Sequence, residues 1–303
     1  MTPRFVVVGD VVTDVVARLQ EPLAPGSDAS ASVAMGGGGS AANVAVWLAY
    51  QHADVAFVGR TGDDAAGRAR AEELRAAGVR VHLTVDTGRP TGTVVVIVDP
   101  DGQRTMLPDR AASAHLSPVD LSPRLFTAGA HLHLSGYTLL HAATRPAGQE
   151  ALAMARAAGM STSVDPSSAQ PLRSVGADAF LAWTAGVDLV LPNLDEATVL
   201  TGSSEVADAA RALAIHYPEV VITLGADGAV HCADGRLTHV PARATDAVDS
   251  TGAGDAFTAG YLAAAAADPA QRLAAGHRLA ARAVSRAGGR PGAPSAPRQK
   301  PPT

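Results

Sequence analysis

The sequence predicts an α/β protein with a doubly wound, mostly parallel sheet and a small β-sheet lid. In the second half of the chain, short apolar runs alternate with segments of helical propensity, which is typical of parallel strands joined by helices. Two β-rich regions, residues 13–35 and 91–109, interrupt the α/β pattern of the first half and contain turn residues between short strands. We expect these two regions to form one small sheet that stands over the larger one.

In the first half of the chain, two predicted strands are each followed by a predicted helix, and the first β-rich region lies between the first strand and its helix. The first strand is an apolar run that ends in Gly9 and Asp10, the pattern of a central parallel strand. A glycine-rich stretch at residues 36–43 then leads into a helix. The strands are predicted at residues 5–8, 55–59, 93–98 and 103–107, and the helices at 44–50 and 69–77.

Polar clusters follow several predicted strands of the second half. Strands are predicted at residues 131–134, 161–164, 187–191 and 220–224, and helices at 147–158, 195–200, 206–216 and 259–267. The clusters are residues 135–137, residues 165–167, Asn193 with Glu196, and residues 223–228. Because the carboxyl ends of parallel strands meet at one edge of the sheet, these clusters predict one binding site. We interpret His131 and His133, which alternate with leucines, as structural residues, since no carboxylate has the spacing of a zinc motif.

The domain organisation follows from these patterns. Residues 1–12, 36–90 and 110–292 are predicted to form one α/β domain, and residues 13–35 and 91–109 the lid. The proline-rich tail at 293–303 is expected to be disordered.

Composition excludes several classes of function. The net charge of −5 leaves no basic surface for nucleic acid, and no apolar run approaches the length of a membrane helix. Cys232 is the only cysteine, so neither an intrachain disulfide nor a cysteine zinc site can form. The N-terminus is too short and too strand-like for a signal peptide, and we expect a cytoplasmic protein.

Lysine is nearly absent from the chain. Lys300, in the tail, is the only lysine among 24 basic residues. A P-loop, a protein-kinase active site and a Schiff-base enzyme each need an ordered lysine beside the chemistry. Phosphoryl chemistry in this chain would therefore rely on arginine, metal ions and backbone N–H groups.

The stretch 248–257 is the strongest candidate for a chemical site. Gly252, Ala253 and Gly254 stand where a helix of low charge begins, and the N–H groups of a helix N-terminus attract anions. Asp255 directly behind them either caps the helix or acts as a general base beside an anion hole. The motif alone does not decide between these two roles.

A dinucleotide site is a competing interpretation of the first glycine-rich stretch. Gly36, Gly38 and Ala41 fit the looser dinucleotide fingerprint. The preceding residues 30–35 make a poor central strand, and no acidic residue follows at the expected distance. The sequence therefore disfavours a dehydrogenase.

Taken together, the segments resemble the ribokinase-like (PfkB) family of sugar and nucleoside kinases, from Val6 to about Gly292. Residues 249–255, followed by 259–262, fit the second signature of that family at every position. Residues 38–45, with Gly62 downstream, fit its first signature, except that His52 replaces a helix-ending glycine. His tolerates the left-handed conformation that such a turn requires.

The resemblance implies roles for named residues and two cofactors, ATP and Mg²⁺. Asp255 would be the general base, with the backbone of Gly252, Ala253 and Gly254 as anion hole. The implied substrate contacts are Asp14, Gly38, Gly39 and Asn43, and Tyr137 from the polar cluster at 135–137 is a further candidate. Arg104 on a lid strand resembles the arrangement in relatives that act on acidic sugars, although an edge-strand arginine is usually solvated. The implied ATP contacts are Asn193, Glu196, Thr223, Gly225 and Gly228, with Glu196 reaching Mg²⁺ through water. The resemblance also allows a K⁺ ion near Asp249 and the turn at 288–292, where this chain departs from the Gly-Ala-x-x-Ser turn of the family.

Two departures from ribokinases bear on the substrate. Val12 and Ser40 stand where ribokinases carry Asn and Lys, which weakens the expectation of ribose. We expect ATP-dependent phosphorylation of a primary hydroxyl of a sugar or sugar acid. The alternatives are a nucleoside kinase and a non-catalytic sugar-binding protein of the same fold. A small sheet with an apolar face also needs cover, so we expect a homodimer through the lid.

Overall fold

The computed structural model describes residues 4–23, 25–101, 103–246, 248–286 and 288–291. The strands are β1 (Arg4–Val8), β2 (Val12–Leu19), β3 (Ala31–Gly38), β4 (Asp54–Gly62), β5 (Arg80–Asp86), β6 (Thr91–Val98), β7 (Arg104–Ala111), β8 (His131–Ser135), β9 (Ser161–Asp165), β10 (Leu189–Val190), β11 (Glu219–Thr223), β12 (Ala229–Ala233) and β13 (Arg236–Val240). The helices are α1 (Ser40–Tyr50), α2 (Ala65–Ala76), α3 (Tyr137–Leu140), α4 (Arg145–Ala157), α5 (Ala169–Val175), α6 (Ala177–Trp183), α7 (Leu194–Thr201), α8 (Val206–Leu213), α9 (Ala253–Ala263) and α10 (Pro269–Val284). Short 3₁₀ turns lie at Ala112–His115, Pro118–Asp120, Pro123–Leu125 and Gly225–Asp227.

The larger sheet has nine strands in the order β13-β12-β11-β10-β9-β8-β1-β4-β5. Neighbours from β5 through β11 pair in parallel, and β12 and β13 add an antiparallel edge. The chain winds outward from β1 on both sides, so the strand order reverses at β1, where ligands bind in such sheets. This arrangement confirms the predicted fold class. The sequence did not predict β5, β12, β13 or the helices α3, α5, α6 and α10, and β10 is shorter than predicted.

The sheet has an apolar core on each face. In β1, Val6 and Val8 join one core while Phe5 and Val7 join the other, which is why that strand is a continuous apolar run. Helix α1 packs on the second face, with Trp47 fully buried. The same face holds α9, which carries Asp255 in its first turn.

The smaller sheet, the lid, has the strand order β3-β2-β6-β7. Its outer pairs are antiparallel as expected, whereas the central pair β2 and β6 is parallel. The sheet extends beyond the predicted lid, to Gly38 and Ala111. In the turn between β6 and β7, Asp99 donates its N–H to the carbonyl of Gln103 at 3.0 Å; the predicted turn glycine, Gly102, lies outside the described residues.

His131 and His133 are structural, as the sequence suggested. Nδ1 of His133 lies 2.9 Å from the hydroxyl of Ser163, and burial lowers the pKa of this histidine to about 3. The described residues contain no cluster of three or more His, Cys, Asp or Glu side chains able to hold a metal ion. Within the same ranges, every helix is too short or too polar to cross a bilayer. Gly292 and the tail at 293–303 lie outside the described residues.

Candidate active site

A cavity of about 520 Å³ lies between the lid and the carboxyl ends of the central strands. It brings together residues that the sequence predicted from distant segments. These are Asp14, Gly39, Asn43, Tyr137, Asn193, Glu196, Thr223, Gly252, Gly254 and Asp255.

The N-terminus of α9 forms one wall of this cavity. Gly252 precedes the helix with φ of 72°, a left-handed conformation that glycine adopts without strain. The N–H of Ala253 donates to the carbonyl of Ser250 at 3.3 Å, so one of the three predicted anion-hole groups is already used. Among the described residues, the N–H groups of Gly254 and Asp255 have no backbone acceptor of this kind. The N–H of Gly252 likewise has no backbone acceptor among the described residues, so the N–H groups of Gly252, Gly254 and Asp255 can meet an anion.

Asp255 is held by one hydrogen bond to each carboxylate oxygen. The hydroxyl of Ser40 donates to Oδ1 at 2.8 Å, and Nδ2 of Asn43 donates to Oδ2 at 2.9 Å. Burial raises the pKa of Asp255 to about 7, against the opposing effect of these two hydrogen bonds. A carboxylate with a pKa near neutrality and a fixed orientation has the properties of a general base.

The glycine-rich stretch serves a different purpose from a dinucleotide loop. Asp10, after β1, accepts the N–H groups of Ser40 and Ala41 at 3.2 and 3.3 Å. A carboxylate therefore already occupies the N-terminus of α1, where a dinucleotide site would bind phosphate. This geometry, like the sequence pattern, disfavours a dehydrogenase.

Gly38 makes room for the carboxylate of Asp14. The two residues lie on the paired strands β2 and β3, and a Cβ atom at position 38 would overlap the Asp14 side chain. Burial raises the pKa of Asp14 to about 6, although Arg290 acts in the opposite direction. Asp14 borders the cavity, where its oxygens can accept hydrogen bonds from substrate hydroxyls.

Arg290 supports Asp255 through Asn43, a contact that no sequence motif predicted. Its Nε donates to Oδ1 of Asn43 at 3.0 Å, while its Nη2 donates to the carbonyl of Gly38 at 3.0 Å. Asn43 thus uses Oδ1 for Arg290 and Nδ2 for Asp255. Asn43, which also lines the cavity, therefore holds the carboxylate of Asp255 in place. The indole N–H of Trp47 anchors the same turn through the carbonyl of Gly289, at 2.9 Å.

The cation that faces the cavity is Arg110, rather than the expected Arg104. The guanidinium of Arg110 lies 3.6 Å from Asp10 Oδ2 and 3.8 Å above the centre of the Tyr137 ring. Arg104 does not line the cavity and pairs with Asp249 at 3.0 Å. Both arginines lie on β7 six positions apart, so the sequence pattern alone could have suggested either.

Asn193 and Glu196 form a capping box at the start of α7. The main-chain N–H and Nδ2 of Asn193 donate to Glu196 at 3.0 and 2.8 Å, and the N–H of Glu196 donates to Asn193 at 2.9 Å. Burial raises the pKa of Glu196 to about 7. Burial and the charge of Glu196 also raise the pKa of Asp165. Two buried carboxylates at one cavity wall fit a divalent cation, which would relieve their repulsion.

A second cavity, of about 500 Å³, adjoins the first and shares Asn193 and Thr223 with it. Its remaining wall comes from the start of α7, the start of α8 and the turn after β11, including Gly225. Gly228 ends that turn with φ of 106° and does not line the cavity. The two adjoining cavities form one compartment under the lid and one open compartment at the carboxyl ends of β10 and β11.

Comparison with known proteins agrees with this geometry. A family model described as pfkB family carbohydrate kinase matches residues 2–296. The chain is 34% identical to a fructokinase of Klebsiella pneumoniae over 88% of this chain and 86% of the relative. It is 32% identical to an ATP-dependent ribose-1-phosphate kinase of Halopiger xanaduensis over 97% and 95%. The crystal structure of adenosine kinase from Sinorhizobium meliloti superposes with a TM-score of 0.85 at 25% identity, covering 96% of each chain.

Proposed function

The chain belongs to the pfkB family of carbohydrate kinases, which are ATP-dependent phosphotransferases, and we propose that it phosphorylates a primary hydroxyl of a neutral sugar. The observation that carries this proposal is the arrangement around Asp255. A carboxylate with a pKa of about 7 adjoins the open N–H groups of a helix N-terminus, inside a cavity under a lid. This arrangement suits removal of a hydroxyl proton beside a developing phosphoryl charge.

The charges of the cavity favour a neutral substrate. The carboxylates that line it are Asp10, Asp14, Asp165, Glu196 and Asp255. Arg110 supplies the only guanidinium among the described lining residues, and it already faces Asp10. A sugar acid would meet net repulsion in this cavity. Fructose is the first candidate, since a fructokinase is among the similar relatives.

In the proposed reaction, the substrate hydroxymethyl group lies between Asp255 and the start of α9. Asp255 accepts the hydroxyl proton as the oxygen attacks the terminal phosphorus of ATP, and the bond to ADP breaks. The N–H groups of Gly254 and Asp255 stabilise the charge on the transferred group. Asp14 accepts hydrogen bonds from other hydroxyls and fixes the sugar.

The second cavity is the proposed site of ATP, with Thr223 and Gly225 on its wall. Asp165 and Glu196 would hold Mg²⁺, largely through water. The ion would neutralise phosphate charge during transfer.

A nucleoside is the second candidate substrate, because part of the inner face of the lid is apolar. Val94, Val96 and Met106 border the substrate cavity on that side. Such a wall suits the flat face of a nucleobase as well as the carbon face of a sugar.

Release of ADP across a panel of substrates tests the proposed function. The panel contains fructose and other neutral hexoses, pentoses, keto-deoxy sugar acids and nucleosides, each with ATP and Mg²⁺. We expect the fastest turnover with a neutral sugar. Preference for adenosine or another nucleoside would select the second candidate. Sugar binding by calorimetry without any ADP release would replace the proposal with a binding protein.

We also propose that the lid pairs two copies of the chain. The strand register places Met35, Val15, Val95 and Leu107 in one row on the outer face of the lid. Met35 is 73% exposed and Leu107 is 52% exposed, so this face is apolar and open in one copy. Sedimentation should give a dimer that Met35→Glu converts to a monomer. A wild-type monomer at micromolar concentration would contradict this proposal.

A further inference from the structure

The carboxylate of Asp249 has no free oxygen for a K⁺ ion. Its Oδ1 accepts the N–H of Thr251 at 2.9 Å and lies 3.0 Å from Nη2 of Arg104. Its Oδ2 accepts Nη2 of Arg18 at 2.9 Å and the N–H of Gly288 at 3.1 Å. All four partners are hydrogen donors, and two of them are cations.

The surroundings of Asp249 strengthen this conclusion. The side chain of Asp249 is 1% exposed, and its two arginine partners are partly buried, Arg18 at 36% and Arg104 at 21% exposure. The carbonyl of Val284, which the same loop contacts, accepts the N–H groups of Val248 and Asp249 at 2.7 and 3.1 Å. K⁺ binds where several oxygen atoms replace its water shell, and two adjacent guanidinium groups would repel it. The residues present therefore do not fit the K⁺ ion that the resemblance implied.

Both arginines belong to the lid. Arg18 lies on β2 and Arg104 on β7, and the register pairs each of them with Val98 of β6. They occupy one row across the sheet and therefore point to the same face. That face is turned toward the loop 249–252, which leads directly into α9 and Asp255. The ion pairs thus join the lid to the segment that forms the anion hole.

We propose that Arg18 and Arg104 take the place of a monovalent cation at Asp249, so that this kinase works without K⁺ and its lid holds the loop 249–252 that leads into α9. The proposal rests on the kinase function proposed above. Arg18 and Arg104 are positioning residues, because they act through Asp249 and Thr251 and do not line the cavity. Hydrogen bonds from Thr251 and Gly288 and the charge of Arg104 outweigh burial and hold the pKa of Asp249 below its ordinary value. Asp249 therefore stays ionised, as an ion-pair partner must.

Replacing K⁺ in the assay tests the proposal on the wild-type protein. Turnover is measured in KCl, NaCl and tetramethylammonium chloride at equal ionic strength, with nucleotides free of K⁺. We expect rates that agree within about twofold, because the two arginines already occupy the place that K⁺ would take at Asp249. A tenfold or larger stimulation by K⁺ would overturn the proposal.

Removing the arginines should create a demand for K⁺. In Arg104→Met and in the double variant Arg18→Ala with Arg104→Met, turnover without K⁺ should fall by about tenfold or more, because a buried carboxylate loses its partners. KCl should restore part of this loss, and tetramethylammonium chloride should not. Arg68→Ala, at an exposed arginine paired with Asp63, is the matched control and should respond to neither salt. Loss of turnover that no cation restores would contradict substitution for K⁺.

Thermal melting in the same salts gives a readout that needs no substrate. The wild-type midpoint should be equal in KCl and tetramethylammonium chloride, whereas KCl should raise the midpoint of Arg104→Met. If K⁺ specifically stabilised the wild type, the proposal that arginines replace K⁺ would be refuted, even if no sugar were phosphorylated. A different outcome would count against the proposed function alone. In that outcome no substrate of the panel is phosphorylated, the wild type melts at the same temperature in both salts, and KCl stabilises only Arg104→Met. If the double variant does not fold, melting and turnover of the wild type and of Arg104→Met still test the proposal.

Discussion

Replacing Asp255 by asparagine separates its two candidate roles. The structure accommodates an amide at this position, because Nδ2 of Asn43 can donate to its oxygen while the hydroxyl of Ser40 rotates to accept from its NH₂ group. The variant should therefore fold with its hydrogen bonds intact. It lacks only the negative charge and the proton acceptor.

The expected loss of turnover is large. At pH 8 a carboxylate with a pKa of about 7 is mostly ionised and ready to accept a proton. General-base catalysis typically contributes about 10²- to 10⁴-fold, so kcat should fall by at least about a hundredfold while KM changes little.

The Asp255→Asn variant should be more stable than the wild type, although its turnover is lower. Because burial raises the pKa of Asp255 from 3.8 to about 7, the folded state binds a proton in that window that the unfolded state does not. The wild type therefore loses stability as pH rises from about 4 to about 7, and the loss is complete above pH 7. The Asp255→Asn side chain has no charge to bury, so we expect the variant to be more stable than the wild type at pH 8, on the order of 1–3 kcal/mol.

Steady-state kinetics and urea unfolding at pH 8 measure both effects. Asp63→Asn, at an exposed aspartate, is the matched control and should leave kcat and stability near their wild-type values. An Asp255→Asn enzyme with kcat within about threefold of the wild type would refute the general base. If the same variant were also less stable by about 0.3–1 kcal/mol, the carboxylate of Asp255 would serve only to interact with the positive end of the α9 dipole.

Three further predictions concern neighbouring groups. Asp14→Asn should raise KM for the sugar by about 10- to 100-fold with kcat nearly unchanged, since hydrogen bonds to a charged acceptor contribute to ground state and transition state alike; a loss confined to kcat would assign Asp14 to the chemical step. The value of kcat/KM should rise with pH through an apparent pKa of about 7. Because the pKa values of Asp14 and Glu196 are also raised, to about 6 and about 7, kcat/KM should fall on the acid side more steeply than a single protonation would give. A flat profile between pH 5 and 8 would contradict these protonation states. Arg290→Met should lower kcat about 10-fold or more because Asn43 loses the partner that orients it toward Asp255, and Arg290→Lys should recover part of that loss; equal kinetics in Arg290→Met and the wild type would show that Asn43 needs no support.

Local sequence patterns were sufficient for most of the larger sheet. The apolar strand at residues 5–8 and the helix over 44–50 follow from hydrophobic runs that are buried on both sides. Helix α10 was missed although Asp268 and Pro269 form a start signal, and Asp268 indeed accepts the N–H of Gln271 at 2.8 Å. Strands β12 and β13 were missed because they are short and form an edge hairpin with little periodicity.

The candidate site was predictable where a role depends on a strand end or a helix start. Asp255, Asn193 and Glu196 belong to this group, since the fold class alone places such positions together. The partners of Asp249 and Asn43 were not predictable. The pairs Arg104 with Asp249 and Arg290 with Asn43 join segments far apart in sequence, and they depend on how the lid meets the larger domain. No local pattern distinguishes such an arginine from a solvated one.

The ³¹P NMR spectrum of the reaction mixture tests the central claim most directly. The wild-type protein is incubated with ATP, Mg²⁺ and the sugar that gives the fastest ADP release. We predict a new phosphomonoester resonance split by the two protons of a CH₂ group, because the base and the anion site act on a primary hydroxyl. Inorganic phosphate without a phosphomonoester, or a phosphomonoester coupled to a single proton, would contradict it.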